Sequence, residues 1–117
     1  MKIYEYPKCT TCKKAIQYLE KYNEIYEDIN IKENCPSKDE LKKYIELSKR
    51  DIDKCFNTSG LKYRELNLKD KLKKMSTDEK LELLSSDGML LKRPILVSEN
   101  VVLFGFKEDE WNKIIKK

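Results

Sequence analysis

The amino-acid sequence predicts an α/β fold in which a β-α-β opening and a β-β-α ending flank a helical insertion over about residues 36–88, around one mixed central sheet. Three observations predict it. Hydrophobic spacing changes from strand to helix and back to strand within residues 2–31. Two serine–glutamate capping boxes mark helices in the middle of the chain. Two β-rich runs close to each other precede a last amphipathic helix.

The first strand is read over residues 2–6 and is broken by Pro7 and Lys8. From Thr10 to about Asn23, Cys12, Ala15, Ile16, Leu19 and Tyr22 fall at helical spacing. Residues 25–31 carry Ile25, Tyr26, Ile29 and Ile31 over a strand length, so the opening two strands are expected to be parallel. Ser37 with Glu40 starts a helix whose face is Leu41, Tyr44, Ile45 and Ser48. A less regular stretch from Asp51 to Leu72 turns at Asn57-Thr58-Ser59-Gly60. Ser76 with Glu79 starts the next helix, which carries Leu81, Leu83 and Leu84 and is expected to stop at Asp87-Gly88 through a glycine cap. Residues 95–97 and 101–104 flank Ser98-Glu99-Asn100 as a hairpin. The last helix is expected from about Lys107 to Lys116, with Trp111, Ile114 and Ile115 facing in and acids ahead of lysines, as the helix dipole prefers.

The chain of 117 residues suits one domain, residues 1–117, able to bury a core without staples. Charged residues make up 39%, and the net charge of +4 comes from interleaved signs, as in Lys69-Asp70-Lys71. That pattern reads as a solvated surface rather than the basic stripe of a nucleic-acid binder. No apolar run approaches membrane-span length and the start does not resemble a signal peptide, so a cytoplasmic protein with no membrane partner is expected. There is no histidine, which excludes Ser-His-Asp and Cys-His catalysis and His-ligated metals.

The chemistry then falls to thiols. Cys9-Thr10-Thr11-Cys12 lies between the first strand and the first helix. Unpaired N–H groups and the positive end of the helix dipole stabilise a thiolate there, and Lys8, Lys13 and Lys14 add positive charge. Cys12 follows about one turn later, the spacing at which a second thiol can resolve a mixed disulfide. Cys9 is therefore the candidate nucleophile and Cys12 its resolving partner. The alternatives are two buried structural cysteines, or a zinc site completed by Cys35 and Cys55. Cys35 and Cys55 otherwise read as structural, and no metal is expected. Thr10 and Thr11 lie where backbone N–H groups could cradle an oxyanion. Arg93-Pro94 opens the third strand, where proline suits a strand's first residue and Arg93 is either an anion-binding group or a surface arginine.

Three separated segments carry a resemblance: Tyr6-Pro7-Lys8-Cys9-Thr10-Thr11-Cys12-Lys13-Lys14-Ala15, Phe56-Asn57-Thr58-Ser59-Gly60-Leu61-Lys62-Tyr63-Arg64 and Ser86-Asp87-Gly88-Met89-Leu90-Leu91-Lys92-Arg93-Pro94. Together they resemble the arsenate reductase (ArsC)-like family, which includes the Spx/MgsR group, over essentially the whole chain. The resemblance implies a thioredoxin-like (glutaredoxin-like) fold with a helical insertion. It implies a cis peptide bond before Pro94, facing Cys9, with Arg93 beside the thiolate. The family's reductases use one cysteine, matching Cys9, and three oxyanion-binding arginines. One of these matches Arg93, and about Asn57 and Gly105 occupy the other two places. Spx-type members share the two cysteines and the Arg-Pro pair and bind the RNA polymerase α subunit under disulfide control. The resemblance thus implies a thiol–disulfide redox protein with a thiol or disulfide substrate or a small oxyanion. No bound cofactor is expected, and glutathione or a thioredoxin/glutaredoxin-type thiol would be the reductant. The alternatives it leaves are a redox-switched transcriptional regulator and an arsenate reductase.

Overall fold

A computed structural model describes residues 1–115 of the chain. The strands are β1 (Lys2–Glu5), β2 (Glu27–Asn30), β3 (Ile95–Val97) and β4 (Val102–Phe104), in spatial order β2-β1-β3-β4. β1 pairs parallel with β2 through the crossover helix α1 (Thr10–Lys21), and antiparallel with β3, which pairs antiparallel with β4. The sheet is therefore mixed, as the element order predicts.

Period-two alternation splits the core between the two faces of this sheet. Ile3 and Leu96 point to one side, where Ala15, Tyr18 and Leu19 of α1 and Trp111 of the last helix, α6 (Glu108–Ile115), complete a cluster. Tyr4 and Ile95 point to the other side and join the larger cluster with the insertion. The insertion holds α2 (Lys38–Ser48), α3 (Leu61–Glu65), α4 (Leu68–Lys71) and α5 (Thr77–Ser86), with 3-10 turns at Ile52–Cys55, Leu72–Lys74 and Gly88–Leu90. Leu41 and Tyr44 of α2 and Leu81 and Leu84 of α5 are buried there. Both capping boxes form: Ser37 Oγ accepts the Glu40 N–H at 3.2 Å, and Ser76 Oγ accepts the Glu79 N–H at 3.1 Å.

Three sequence expectations are corrected. β2 is shorter than residues 25–31, because Ile25 points to solvent, 90% exposed, and pairing with β1 ends at Asn30. α5 does stop at Asp87-Gly88, with Asp87 as its C-cap, but Gly88 is not a left-handed helix cap, since among the described glycines only Gly105 has positive φ. A Cβ at Gly88 would lie 2.0 Å from the Ile31 carbonyl oxygen, so glycine is required there by close approach of the chain to the end of β2. The irregular stretch from Asp51 to Leu72 contains the two short helices α3 and α4. Ile114 and Ile115 pack half-buried against the Trp111 cluster, while Lys116, where the last helix was expected to end, lies outside the described residues. Among the described residues no helix is long and apolar enough to cross a membrane.

Candidate functional site

A tight turn after β1 delivers Cys9 to the start of α1. The Cys9 N–H donates to the Tyr6 carbonyl at 2.9 Å across Pro7 and Lys8. Cys9 keeps extended backbone angles and becomes the N-cap: its Sγ accepts the Cys12 backbone N–H at 3.3 Å. A sulfur at an N-cap sits where the helix presents unpaired donors, and no acidic residue occupies the first turn to oppose a thiolate. Cys9 is half-buried, whereas Cys12 is buried beneath it. Burial and a hydrogen bond with Cys9 push the Cys12 thiol up to about 12, against a lowering influence of the Tyr6 backbone and Arg93. The two sulfurs therefore differ: one is reachable, the other held protonated behind it.

Cys9 opens into a cleft of about 480 Å³. Thr11, Arg93, Asn57, Ser59, Lys92, Gly105 and Lys107 line it with Cys9, and Phe104 and Phe106 supply its apolar wall. The Arg93-Pro94 peptide bond is cis. Pro94 is buried and its carbonyl accepts the Gly105 N–H at 2.7 Å, which ties the start of β3 to the residue after β4. The Arg93 guanidinium stands 5.6 Å from the centre of the Tyr6 ring and donates from Nη1 to the Met89 carbonyl at 3.3 Å, while its buried Nε has no hydrogen-bond partner. Arg93 is thus drawn in to the cleft rather than splayed on the surface.

Of the residues singled out in the sequence, Cys9, Thr11 and Arg93 line the cleft together. Cys12 and Pro94 sit buried behind it, and Thr10 is exposed beside it. Asn57 and Gly105, the two positions matched with oxyanion-binding arginines, also line the cleft, so it lacks those two guanidinium groups. Cys35 and Cys55 lie elsewhere. Their thiols donate to the Leu84 and Asp51 carbonyls, at 3.5 and 3.6 Å, and burial pushes them up to about 11 and about 12. Among the described residues no group of three or more Cys, Asp or Glu side chains is arranged to hold a metal. Sequence reasoning missed Lys92 and Lys107 in the cleft. The only signal for Lys92 is its position next to Arg93, and Lys107 reads simply as a helix start.

The family model described as "ArsC family" matches residues 4–114. The chain belongs to the ArsC family. Among curated relatives, YusI of Bacillus subtilis is 56% identical over 110 residues, covering 94% of this chain and 93% of YusI. The regulatory protein MgsR of Bacillus subtilis is 32% identical over 114 residues, covering 97% of this chain and 89% of MgsR. The crystal structure of an ArsC-family-related protein from Bacteroides fragilis superposes with a TM-score of 0.94 at 43% identity, covering 97% of this chain and 95% of the other. The thioredoxin-like architecture expected from the sequence is thereby established for this ArsC-family chain.

Proposed function

We propose that this ArsC-family protein is a thiol–disulfide redox protein in which Cys9 is the nucleophile and Cys12 the resolving thiol. The observation that carries this is the asymmetry of the pair. Cys9 caps α1 and faces the cleft, and Cys12, whose N–H bonds the Cys9 sulfur at 3.3 Å, is buried behind it.

The steps balance as follows. The Cys9 thiolate attacks one sulfur of a substrate disulfide, forming a mixed disulfide and releasing the first substrate thiolate. Capture of Cys9 in that bond removes the hydrogen bond with its thiol that, after burial, helps keep Cys12 protonated. Cys12 then loses its proton and attacks the Cys9 sulfur, which releases the second substrate thiolate. Two electrons pass to the substrate, the two cysteine protons go to its two thiols, and the protein is left with a Cys9–Cys12 disulfide. A dithiol or two molecules of a thiol reductant, such as glutathione or a thioredoxin/glutaredoxin-type protein in a reducing cytoplasm, return it. Arg93 and the start of α1, with Thr10 and Thr11, hold the negative charge beside the reacting sulfur, and Pro94 shapes the groove.

A second reading has the same switch without turnover. The likeness to MgsR, whose name is that of a regulatory protein, favours it. The disulfide would then set affinity for a protein partner, with the RNA polymerase α subunit as the partner to test. Arsenate reduction is less well supported, because Asn57 and Gly105 leave the cleft with one arginine. Single-turnover oxidation followed by mass spectrometry separates these. Turnover with a thiol reductant, lost in Cys9→Ser and arrested as a mixed disulfide in Cys12→Ser, supports the oxidoreductase. Redox-dependent capture of the α subunit without turnover supports the regulator.

A further inference from the structure

The part of the cleft wall built by Lys92 and Gly105 has an unusual construction. Lys92 is held by its backbone N–H, which donates to the Cys55 carbonyl at 2.8 Å. Its side chain is then laid across Gly105. A Cβ placed on Gly105 would lie 2.8 Å from Lys92 Cε, 3.7 Å from Cδ and 3.9 Å from Nζ. The missing side chain at residue 105 is therefore space that the lysine stem occupies, and the ammonium is carried into the cleft wall. Gly105 itself is fixed from both sides, by its N–H to the Pro94 carbonyl and by its carbonyl to Trp111 Nε1 at 3.1 Å.

Lys92, Arg93 and Lys107 all line this cleft, and none of them forms an ion pair among the described residues. Among the described residues no Asp or Glu lines it. This contrasts with the interleaved acidic and basic residues elsewhere in the sequence, where, for example, Lys38 contacts both Asp78 and Glu82. Three cations that line one concavity, none of them ion-paired among the described residues, raise the local concentration of anions and discriminate against cations. The volume of about 480 Å³ belongs to the class of pocket that holds a small organic molecule, and Phe104 and Phe106 give it an apolar wall.

We propose that Lys92 is a specificity-determining residue that makes this cleft select small organic disulfides bearing a carboxylate near the scissile bond. This rests on Cys9 being the attacking thiol proposed above. The electrostatic reason is direct. A thiolate repels an anionic disulfide, and the ammonium held over Gly105, with Arg93 and Lys107, reverses that repulsion at the point of approach. The carboxylate pairs with Lys92 while the Cys9 thiolate attacks the nearer sulfur. The thiolate of the other half leaves, and Cys12 then attacks the Cys9 sulfur and displaces the carboxylate-bearing half, the two cysteine protons passing to the two released thiols. The substrate gains two electrons and the protein becomes the Cys9–Cys12 disulfide.

The test uses the reduced full-length protein and three probes of similar size: 3,3′-dithiodipropionate, which is anionic, 2-hydroxyethyl disulfide, which is neutral, and cystamine, which is cationic. Loss of the Cys9 thiol is followed in a single turnover, and each rate is divided by that of free cysteine to remove intrinsic reactivity. Wild type is expected to prefer the anionic over the neutral probe by about tenfold, and more over the cationic one, with the preference shrinking in high salt. Lys92→Gln is expected to cut the anionic-to-neutral ratio several-fold, and Lys92→Arg to retain it. Lys42→Gln, on the exposed face of α2, is the control and is expected to keep it. An unfolded fraction would itself lower the ratio, so each variant is compared only where its circular dichroism matches wild type, and the retained ratio in Lys92→Arg separates loss of charge from loss of fold. Equal ratios in wild type and Lys92→Gln, with Cys9 reacting in both, overturn the selectivity and leave the redox function standing. A Cys9 that reacts with none of the probes overturns the redox function itself.

Discussion

The Cys9 sulfur accepts the backbone N–H of Cys12 at 3.3 Å, so the proposed nucleophile is also the N-cap of the helix that carries its partner. Structure and chemistry share one atom, and substitutions can separate them. Cys9→Ser keeps an oxygen acceptor for the cap and removes the thiol. Cys9→Ala removes both. The alanine variant is expected to be less stable than the serine variant by about 1 kcal/mol in urea unfolding, while neither reacts with disulfides. Equal stability of the two would show that the sulfur contributes nothing as a cap.

Gly88→Ala is expected to destabilise the fold by roughly 1–3 kcal/mol, the range for overpacking a tight contact. The added Cβ would meet the Ile31 carbonyl oxygen at 2.0 Å, and the carbon of that carbonyl at 2.8 Å. Both are backbone atoms at the end of β2, so neither can swing aside. Chemical denaturation with an unchanged midpoint would show that the Gly88–Leu90 turn gives way freely.

Trp111→Phe leaves the Gly105 carbonyl without the indole N–H that reaches it at 3.1 Å in a buried setting. The expected loss is about 1–3 kcal/mol, the cost of an unsatisfied buried acceptor. Because Gly105 also lines the cleft, the rate of Cys9 alkylation in the folded variant is expected to change with it. A variant as stable as wild type, with the same alkylation rate, would remove this link between α6 and the site.

Glu5 supplies a pH test. It is 8% exposed at the end of β1, and burial, followed by a hydrogen bond with Asp28, raises its carboxyl from 4.5 to about 7. The folded state therefore holds a proton that the unfolded state has released between those values. Stability from this group is fully present below about 4.5 and is lost as pH rises through about 7. Glu5→Gln, which mimics the protonated form, is expected to gain stability relative to wild type at pH 8 and much less at pH 5. Parallel stability–pH curves for the two proteins would contradict the assignment.

What was legible in the sequence was local. Ser37 with Glu40 and Ser76 with Glu79 announce their helices because a capping box is closed within four residues. Cys9 and Cys12 are legible for the same reason, since the turn at Pro7-Lys8 and the helical spacing behind it are both short-range. Arg93 and Pro94 were placed near Cys9 by family resemblance, and no local pattern would have joined them to it. Long-range approach is what remained hidden. The truncation of β2 at Ile25, the contact of Gly88 with the Ile31 carbonyl and the lysine stem over Gly105 each depend on segments distant in the chain. Glu5 was hidden differently: its place in the β1 alternation, on the side of Ile3, buries a residue type that composition assigns to the surface.

The reduction potential of the Cys9–Cys12 pair tests the central claim most directly. The protein is equilibrated with dithiothreitol or glutathione buffers across a range of poise, free thiols are trapped, and the disulfide is located by mass spectrometry. A single two-electron transition between roughly −300 and −120 mV, mapping to Cys9 and Cys12 and absent from Cys9→Ser and Cys12→Ser, is the predicted result. Absence of an intramolecular disulfide between these two residues at every poise would contradict the two-cysteine mechanism.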